Sequence, residues 1–273
     1  MNKNYYYLEM KTHHLLVPYL NKERRVRILL PKDYHNEEVS YPVVYFHDGQ
    51  NVFHSRESFS GHSWKVVHTI KKNPDLPKMI IVAIDNDDEN RMNEYAPWWF
   101  EGMGILQSRI GGKGVEYAEF VMNVVKPFID ANYRTKSDKA HTAMVGSSLG
   151  GNITQFCGIQ YQDSIGGLGV FSSANFLNQQ SFNRLIERKP LNPDQRVFIY
   201  VGTQEGDETD STLMAGNIKQ AYIDTSVLYY QQLIKAGIPL EHLQLRIVAD
   251  AFHTEEAWAN EMLNCFRLLS EKW

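Results

Sequence analysis

The 273-residue sequence predicts an α/β fold: a mostly parallel central sheet with helices on both faces. Three observations carry that expectation. Strand-like and helix-like segments alternate along most of the chain, which builds parallel sheets through crossover helices. Met79 to Ile84 (MIIVAI) is apolar throughout, as a strand covered on both faces must be. The helical segments each carry an apolar stripe at three- and four-residue spacing, the stripe of a helix laid on a sheet.

The elements follow in order. Arg25 to Leu30 (RVRILL) reads as a strand stopped by Pro31. Tyr41 to Phe46 (YPVVYF) is β-branched and aromatic and runs into the polar turn His47-Asp48-Gly49-Gln50-Asn51. After Met79–Ile84, His141 to Val145 (HTAMV) ends in a Gly/Ser turn. Ile165 to Phe171 carries glycines but fits a short buried strand, and Val197–Val201 and Leu243–Val248 complete the set. Tyr117 to Asn132 reads as a helix with Phe120, Val121, Val124, Val125, Phe128 and Ile129 on one face. Thr225 to Ala236 repeats the pattern and meets a stop signal in Gly237. Thr254 to Leu269 closes the chain as a helix. Asn86 to Gly112 fits neither pattern and reads as a long Trp-containing loop over the active site. There is no repeat and no Pro/Gly/Ser-rich linker, so one domain spanning 1–273 is expected.

Composition narrows the function classes. Hydrophobic residues make up 43% and charged residues 22%, an ordinary globular balance. A net charge of −4 gives no electrostatic footprint for nucleic acid. The short cluster Lys22-Glu23-Arg24-Arg25 carries its own acid and reads as the solvated edge of a strand. The start, MNKNYYYLEMKTHH, lacks the apolar core of an export signal, and no stretch approaches a membrane span. A cytoplasmic protein without a membrane partner is the expectation. Cys157 and Cys265 form no metal-binding pattern and read as buried free thiols.

Gly146-Ser147-Ser148-Leu149-Gly150-Gly151 contains G-x-S-x-G between a strand and a helix. That context is the nucleophile elbow of α/β hydrolases: the chain turns so sharply that the residues two before and two after the serine must be small. Gly146 and Gly150 satisfy this for Ser148, whereas Ser147 would be flanked by Val145 and Leu149. The competing reading is a serine capping a helix. A serine hydroxyl needs a base and a group that orients the base, and in this fold they follow in the order Ser, acid, His. His253, directly after the last strand and last of ten histidines, occupies the base position. His242 precedes that strand, at the wrong end of the sheet. The acid belongs in Gly202-Thr203-Gln204-Glu205-Gly206-Asp207-Glu208. Glu205 comes soonest after the strand end and is followed by a permissive glycine, Asp207 is the alternative, and Asp210 reads as solvated or a helix cap. The oxyanion donors are expected from the Leu149 N–H and from the turn after Tyr41–Phe46, where Gln50 N–H is the choice. Spacing of His47, His54 and His62 matches no zinc pattern.

YFHDGQNVF, RMNEYAPW, GSSLGG, YVGTQEGDE and AFHTEEAW together resemble a group of α/β hydrolases. It comprises esterase-D-like S-formylglutathione hydrolases, feruloyl and acetyl-xylan esterases, enterochelin esterases and mycolyltransferases. The resemblance runs from about Arg25 to Trp258. It implies a Ser148–Glu205–His253 triad with Gln50 and Leu149 as oxyanion donors. Relatives place the acid as G-T-x-D or G-T-x-E, which favours Glu205 over Asp207. No metal or organic cofactor is called for, and a small-molecule ester is the expected partner. Tyr95, Trp98, Trp99 and Phe100 could wall a substrate pocket or pack their loop onto the sheet; Trp98 and Trp99 are the substrate-binding candidates. Short acyl esters, aromatic or sugar esters among them, are the expected substrates. Acyl transfer to a non-water acceptor and a catalytically silent hydrolase-like binding module are the competing readings.

Overall fold

The computed structural model describes residues 8–101, 109–206 and 216–273. It opens with an antiparallel hairpin: β1 (Met10–Val17) against β2 (Lys22–Leu29). The chain continues through β3 (Val43–Phe46), α1 (Val66–Lys72) and β4 (Ile80–Ile84). A short helix, α2 (Arg91–Glu94), then leads into a small hairpin of β5 (Trp99–Glu101) and β6 (Arg109–Gly111). The Asn86–Gly112 stretch, expected as loop, therefore contains regular structure.

A long helical run follows: α3 (Gly114–Phe120), a π-turn (Val121–Val125) and α4 (Lys126–Asn132). Pro127 explains the π-turn. It has no N–H for the carbonyl four residues back, and its ring crowds that turn. The chain widens there, and Lys126 N–H bonds five residues back to Val121 O. The single helix expected over Tyr117–Asn132 is thus a helix with a widened middle. Then come β7 (Thr142–Ser147), α5 (Leu149–Gln160), β8 (Gly167–Phe171), α6 (Gln179–Arg188), β9 (Arg196–Gln204), α7 (Ile218–Lys235), β10 (Leu243–Phe252) and α8 (Glu255–Leu269).

Among the described residues the main sheet runs β1-β2-β4-β3-β7-β8-β9-β10. From β4 to β10 every pairing is parallel, and β2 is antiparallel to both its neighbours. Successive strand residues point to opposite faces, so each strand feeds two cores. On β4, Ile80, Val82 and Ile84 join α3, α5 and α7 on one face, while Ile81 and Ala83 join α1 and α8 on the other. All five are fully buried, as the uniform MIIVAI run predicts. Cys157 and Cys265 are buried and unpaired, one in each core, and burial pushes both thiols up.

The Lys22–Arg25 cluster is only half solvated. Lys22 and Glu23 are exposed, but Arg24 is buried, donating two bonds of 3.0 and 2.9 Å to Glu94 of α2. A buried guanidinium needs such a partner, and the sequence placed it 70 residues away. The parallel order has one functional consequence: the C-terminal ends of β3, β7, β8, β9 and β10 share one rim.

Candidate active site

Ser148 stands at the end of β7, where the chain turns into α5. Its φ of 58° and ψ of −126° are strained for a residue with a side chain. The turn holds because three backbone bonds pin it. Ser148 N–H donates to Phe171 O at 2.9 Å, and its carbonyl accepts from Asn152 N–H at 3.0 Å and Ala174 N–H at 3.2 Å. A Cβ at Gly146 would come 2.3 Å from Gly150 O, and one at Gly150 would come 3.0 Å from Asp48 Oδ2. Both small residues are demanded by crowding, as the motif requires. Ser147 is buried, while Ser148 is partly open to solvent.

Glu205 follows the end of β9 and His253 the end of β10. Their side chains meet, with His253 Nδ1 2.5 Å from Glu205 Oε2. Glu205 is fully buried, and its other oxygen accepts from Ser172 Oγ at 2.5 Å and Gly202 N–H at 2.6 Å. Trp258 Nε1 in turn donates to Ser172 Oγ at 2.9 Å. A carboxylate only accepts, so the neutral imidazole carries its proton on Nδ1 and keeps a lone pair on Nε2. The ring is held between Tyr222 and Trp258, with centroids 4.9 and 5.0 Å away. Asp207 and Asp210 lie outside the described residues.

Gln50 sits in a single 3-10 turn, Gly49–Asn51, directly after β3. Its side-chain oxygen accepts from Asn86 N–H at 3.1 Å, and its backbone N–H is the candidate donor. Leu149 is the first residue of α5, where backbone N–H groups lack intrahelical partners. The elbow and the β3 turn are bound together through Asp48. That buried carboxylate takes a two-pronged grip from Arg91, with Nε to Oδ1 at 2.7 Å and Nη2 to Oδ2 at 2.9 Å. Asn86 adds a bond of 2.5 Å, and Asp48 N–H donates to Tyr95 Oη at 3.0 Å. Burial alone would raise the Asp48 carboxyl, but Arg91 and Asn86 outweigh it and hold it below its usual value. Tyr95 O accepts from Asn152 of α5 at 2.8 Å, closing the link between turn and elbow.

His47 lies beneath this turn, fully enclosed, with Nδ1 2.8 Å from Tyr117 Oη. Burial lowers its pKa to about 4, with Arg91 adding to the effect and Asp48 opposing it. It is neutral near pH 7. Among the described residues no group of three or more His, Cys, Asp or Glu side chains could hold a metal ion.

The aromatic loop candidates separate by place. Tyr95 is fully buried in the Asp48 network, and Phe100 packs with Ala96 and Ile110. Those two support the loop rather than wall a pocket. Trp98 packs edge-on against Phe156 and Phe182, and Trp99 is 55% exposed. A cavity of about 200 Å³ lined by Leu29, Pro31, Ile70, Leu76 and Met79 lies at the opposite rim, away from Ser148. Sequence reasoning missed Asp48, Arg91 and Ser172 as parts of the site. Arg91 and Tyr95 lie in RMNEYAPW at a four-residue spacing that places them on one helix face, and that spacing was the available signal.

The elbow serine, the buried Glu205–His253 pair and the turn after β3 lie on one rim of an α/β-hydrolase fold. The chain belongs to the esterase family described as "Putative esterase", whose model matches residues 18–267. It is 26% identical over 250 residues to the uncharacterized protein YbbA of Bacillus subtilis strain 168, covering 91% of this chain and 93% of that one. Its fold matches an IroE-like serine hydrolase from Shewanella oneidensis with a TM-score of 0.75 at 19% identity, covering 96% and 80% of the two chains. A ferulic acid esterase matches with a TM-score of 0.67 at 19% identity, over 97% and 99%. No helix among the described residues is long and apolar enough to cross a membrane.

Proposed function

We propose that this enzyme is a serine carboxylic-ester hydrolase with Ser148 as nucleophile, His253 as base and Glu205 as the acid that orients it. His253 Nε2 takes the hydroxyl proton as Ser148 Oγ attacks the ester carbonyl. The oxyanion is met by the N–H groups of Gln50 and Leu149. Collapse breaks the C–O bond, and His253 returns its proton to the departing alcohol. Water attacks the acyl-enzyme with the same assistance, releasing the acid and restoring Ser148. Each oxyanion donor in such a site is worth about 2.7–4 kcal/mol of barrier.

One observation carries the reading: His253 Nδ1 is fixed at 2.5 Å from a fully buried carboxylate on the rim that presents the strained Ser148. The substrates we assign are small esters with short acyl chains, aromatic or sugar esters included, with Trp98 and Trp99 beside them. The unpaired thiols fit a reducing compartment, and the proposal includes a cytoplasmic location.

A fluorophosphonate probe tests the nucleophile. The wild-type enzyme is expected to label and to hydrolyse acetate esters, and Ser148→Ala to do neither. Labelling that persists at full level in Ser148→Ala would sink the assignment. Faster cleavage of octanoyl than of acetyl or butyryl esters would overturn the short-chain reading.

A further inference from the structure

Phe59 is 94% exposed, the most exposed large apolar side chain among the described residues. Single exposed apolar residues are common and mean little by themselves. What sets Phe59 apart is how its backbone is held. Phe59 N–H donates to Asn51 Oδ1 at 3.1 Å, and Asn51 is the residue after Gln50. Asn51 Nδ2 donates to Glu255 Oε1 at 2.9 Å, and Ser60 Oγ donates to Glu255 Oε2. Glu255 lies two residues beyond His253, in the first turn of α8. Asn51 and Glu255 are both buried. Trp64, which ends this loop, donates its N–H to Asn51 O at 2.9 Å and packs against Trp258, with centroids 5.6 Å apart.

The loop that carries Phe59 is therefore fastened on one side to the oxyanion turn and on the other to the histidine turn. Its ring is nevertheless left in water. Sheet order adds a second argument. β7, which carries Ser148, lies between β3 and β8. The Phe59 loop follows β3. On the β8 side stands Trp99, 55% exposed, whose carbonyl accepts from Asn178 Nδ2 at 3.4 Å in the turn that follows β8. The backbones that carry two exposed aromatic rings are thus tied to the turns that follow both neighbours of β7. An ordered loop that leaves its ring in water gains nothing from that ring until a partner covers it.

We propose that Phe59 is a specificity-determining residue that contacts an aromatic ring on the ester substrate, in either the acid or the alcohol portion. The assignment rests on the hydrolase reading above. It deepens that reading by selecting aryl esters as the preferred class. Phe59 supplies contact area to the bound ester and takes no part in bond breaking, so its loss acts on KM and spares kcat.

The test compares wild type, Phe59→Ala and Phe59→Trp on ethyl acetate, phenyl acetate and ethyl benzoate, with fluorophosphonate labelling of Ser148 in parallel. Losing the ring contact is expected to raise KM for at least one of the two aryl esters about tenfold in Phe59→Ala. Ethyl acetate should change less than about twofold, labelling should be unchanged, and Phe59→Trp should restore the aryl-ester KM. If Phe59→Ala shifts both aryl esters no more than ethyl acetate while labelling persists, the Phe59 assignment is wrong and the hydrolase reading stands. If wild type neither labels nor cleaves ethyl acetate, the hydrolase reading falls and takes this assignment with it.

Discussion

Replacing Glu205 with glutamine tests its proposed role as the orienting acid. The carboxylate accepts three bonds: Ser172 Oγ and Gly202 N–H on Oε1, His253 Nδ1 on Oε2. A glutamine has one accepting oxygen and one donating NH₂. Two donors converge on the Oε1 side, so the amide oxygen belongs there and the NH₂ faces His253. The imidazole can meet that NH₂ only by accepting at Nδ1, which moves its proton to Nε2. In that tautomer His253 cannot take the Ser148 proton. A wrong-tautomer lesion of this kind lowers kcat by about 10⁴, equivalent to about 5 kcal/mol of barrier. The fold should survive, because the buried oxygen still satisfies Ser172 and Gly202; the weaker bond costs roughly 1 kcal/mol of stability. Steady-state hydrolysis of an acetate ester, beside urea unfolding and an Asp207→Asn control, measures both quantities. A Glu205→Gln enzyme keeping a tenth or more of wild-type kcat would refute the reasoning. A collapse of activity in Asp207→Asn alone would move the acid role to Asp207.

Further outcomes follow from the buried groups around the site. Arg91→Leu should leave Asp48 as an enclosed carboxylate without its cation, costing about 3 kcal/mol in urea unfolding at pH 7. It should also lower kcat/KM at least about tenfold by releasing the turn that carries Gln50; an unchanged unfolding midpoint would contradict the clamp. His47 should make stability depend on acid. Its folded pKa of about 4 lies below the ordinary histidine value of 6.5, so the unfolded chain binds the proton first as pH falls between those values. The native state thus loses stability through that window, by about 2 kcal/mol between pH 7 and pH 5 for this group alone. Urea unfolding of wild type and His47→Gln at both pH values reads it as a difference, and equal losses in the two proteins would show that His47 does not titrate this way.

The parts of this molecule legible in its sequence are those governed by short-range pattern. Uniform burial wrote MIIVAI for β4, and crowding at the elbow wrote Gly146 and Gly150 around Ser148. Chain order and position after a strand pointed to His253, and position after β9 favoured Glu205 with Asp207 as the alternative; the fold pairs His253 with Glu205. What stayed hidden depends on contacts between distant segments. β1 gives little signal because it is an edge strand with only Leu15 and Val17 buried, too little alternation to register. Arg24 looked solvated because Glu94 approaches only in the folded state. Asp48 read as an ordinary turn residue because its meaning lies in Arg91, 43 positions on. Ser172 gave no signal, since nothing local shows a hydroxyl set between Glu205 and Trp258. The β5–β6 hairpin gives no strand signal, because its strands are three residues each.

Helix α2 is a single turn, yet two of its side chains make ionic attachments of opposite sign. Arg91 reaches Asp48 beside the candidate active site, and Glu94 reaches Arg24 on the outer hairpin. The turn works like a rivet through two plates. Detaching the outer hairpin exposes Arg24 and frees Glu94, which slackens the hold on Asp48 in the same event. Loss of turnover and loss of amide protection in β1–β2 should therefore coincide during denaturation, making this edge of the molecule part of one cooperative unit with its chemistry.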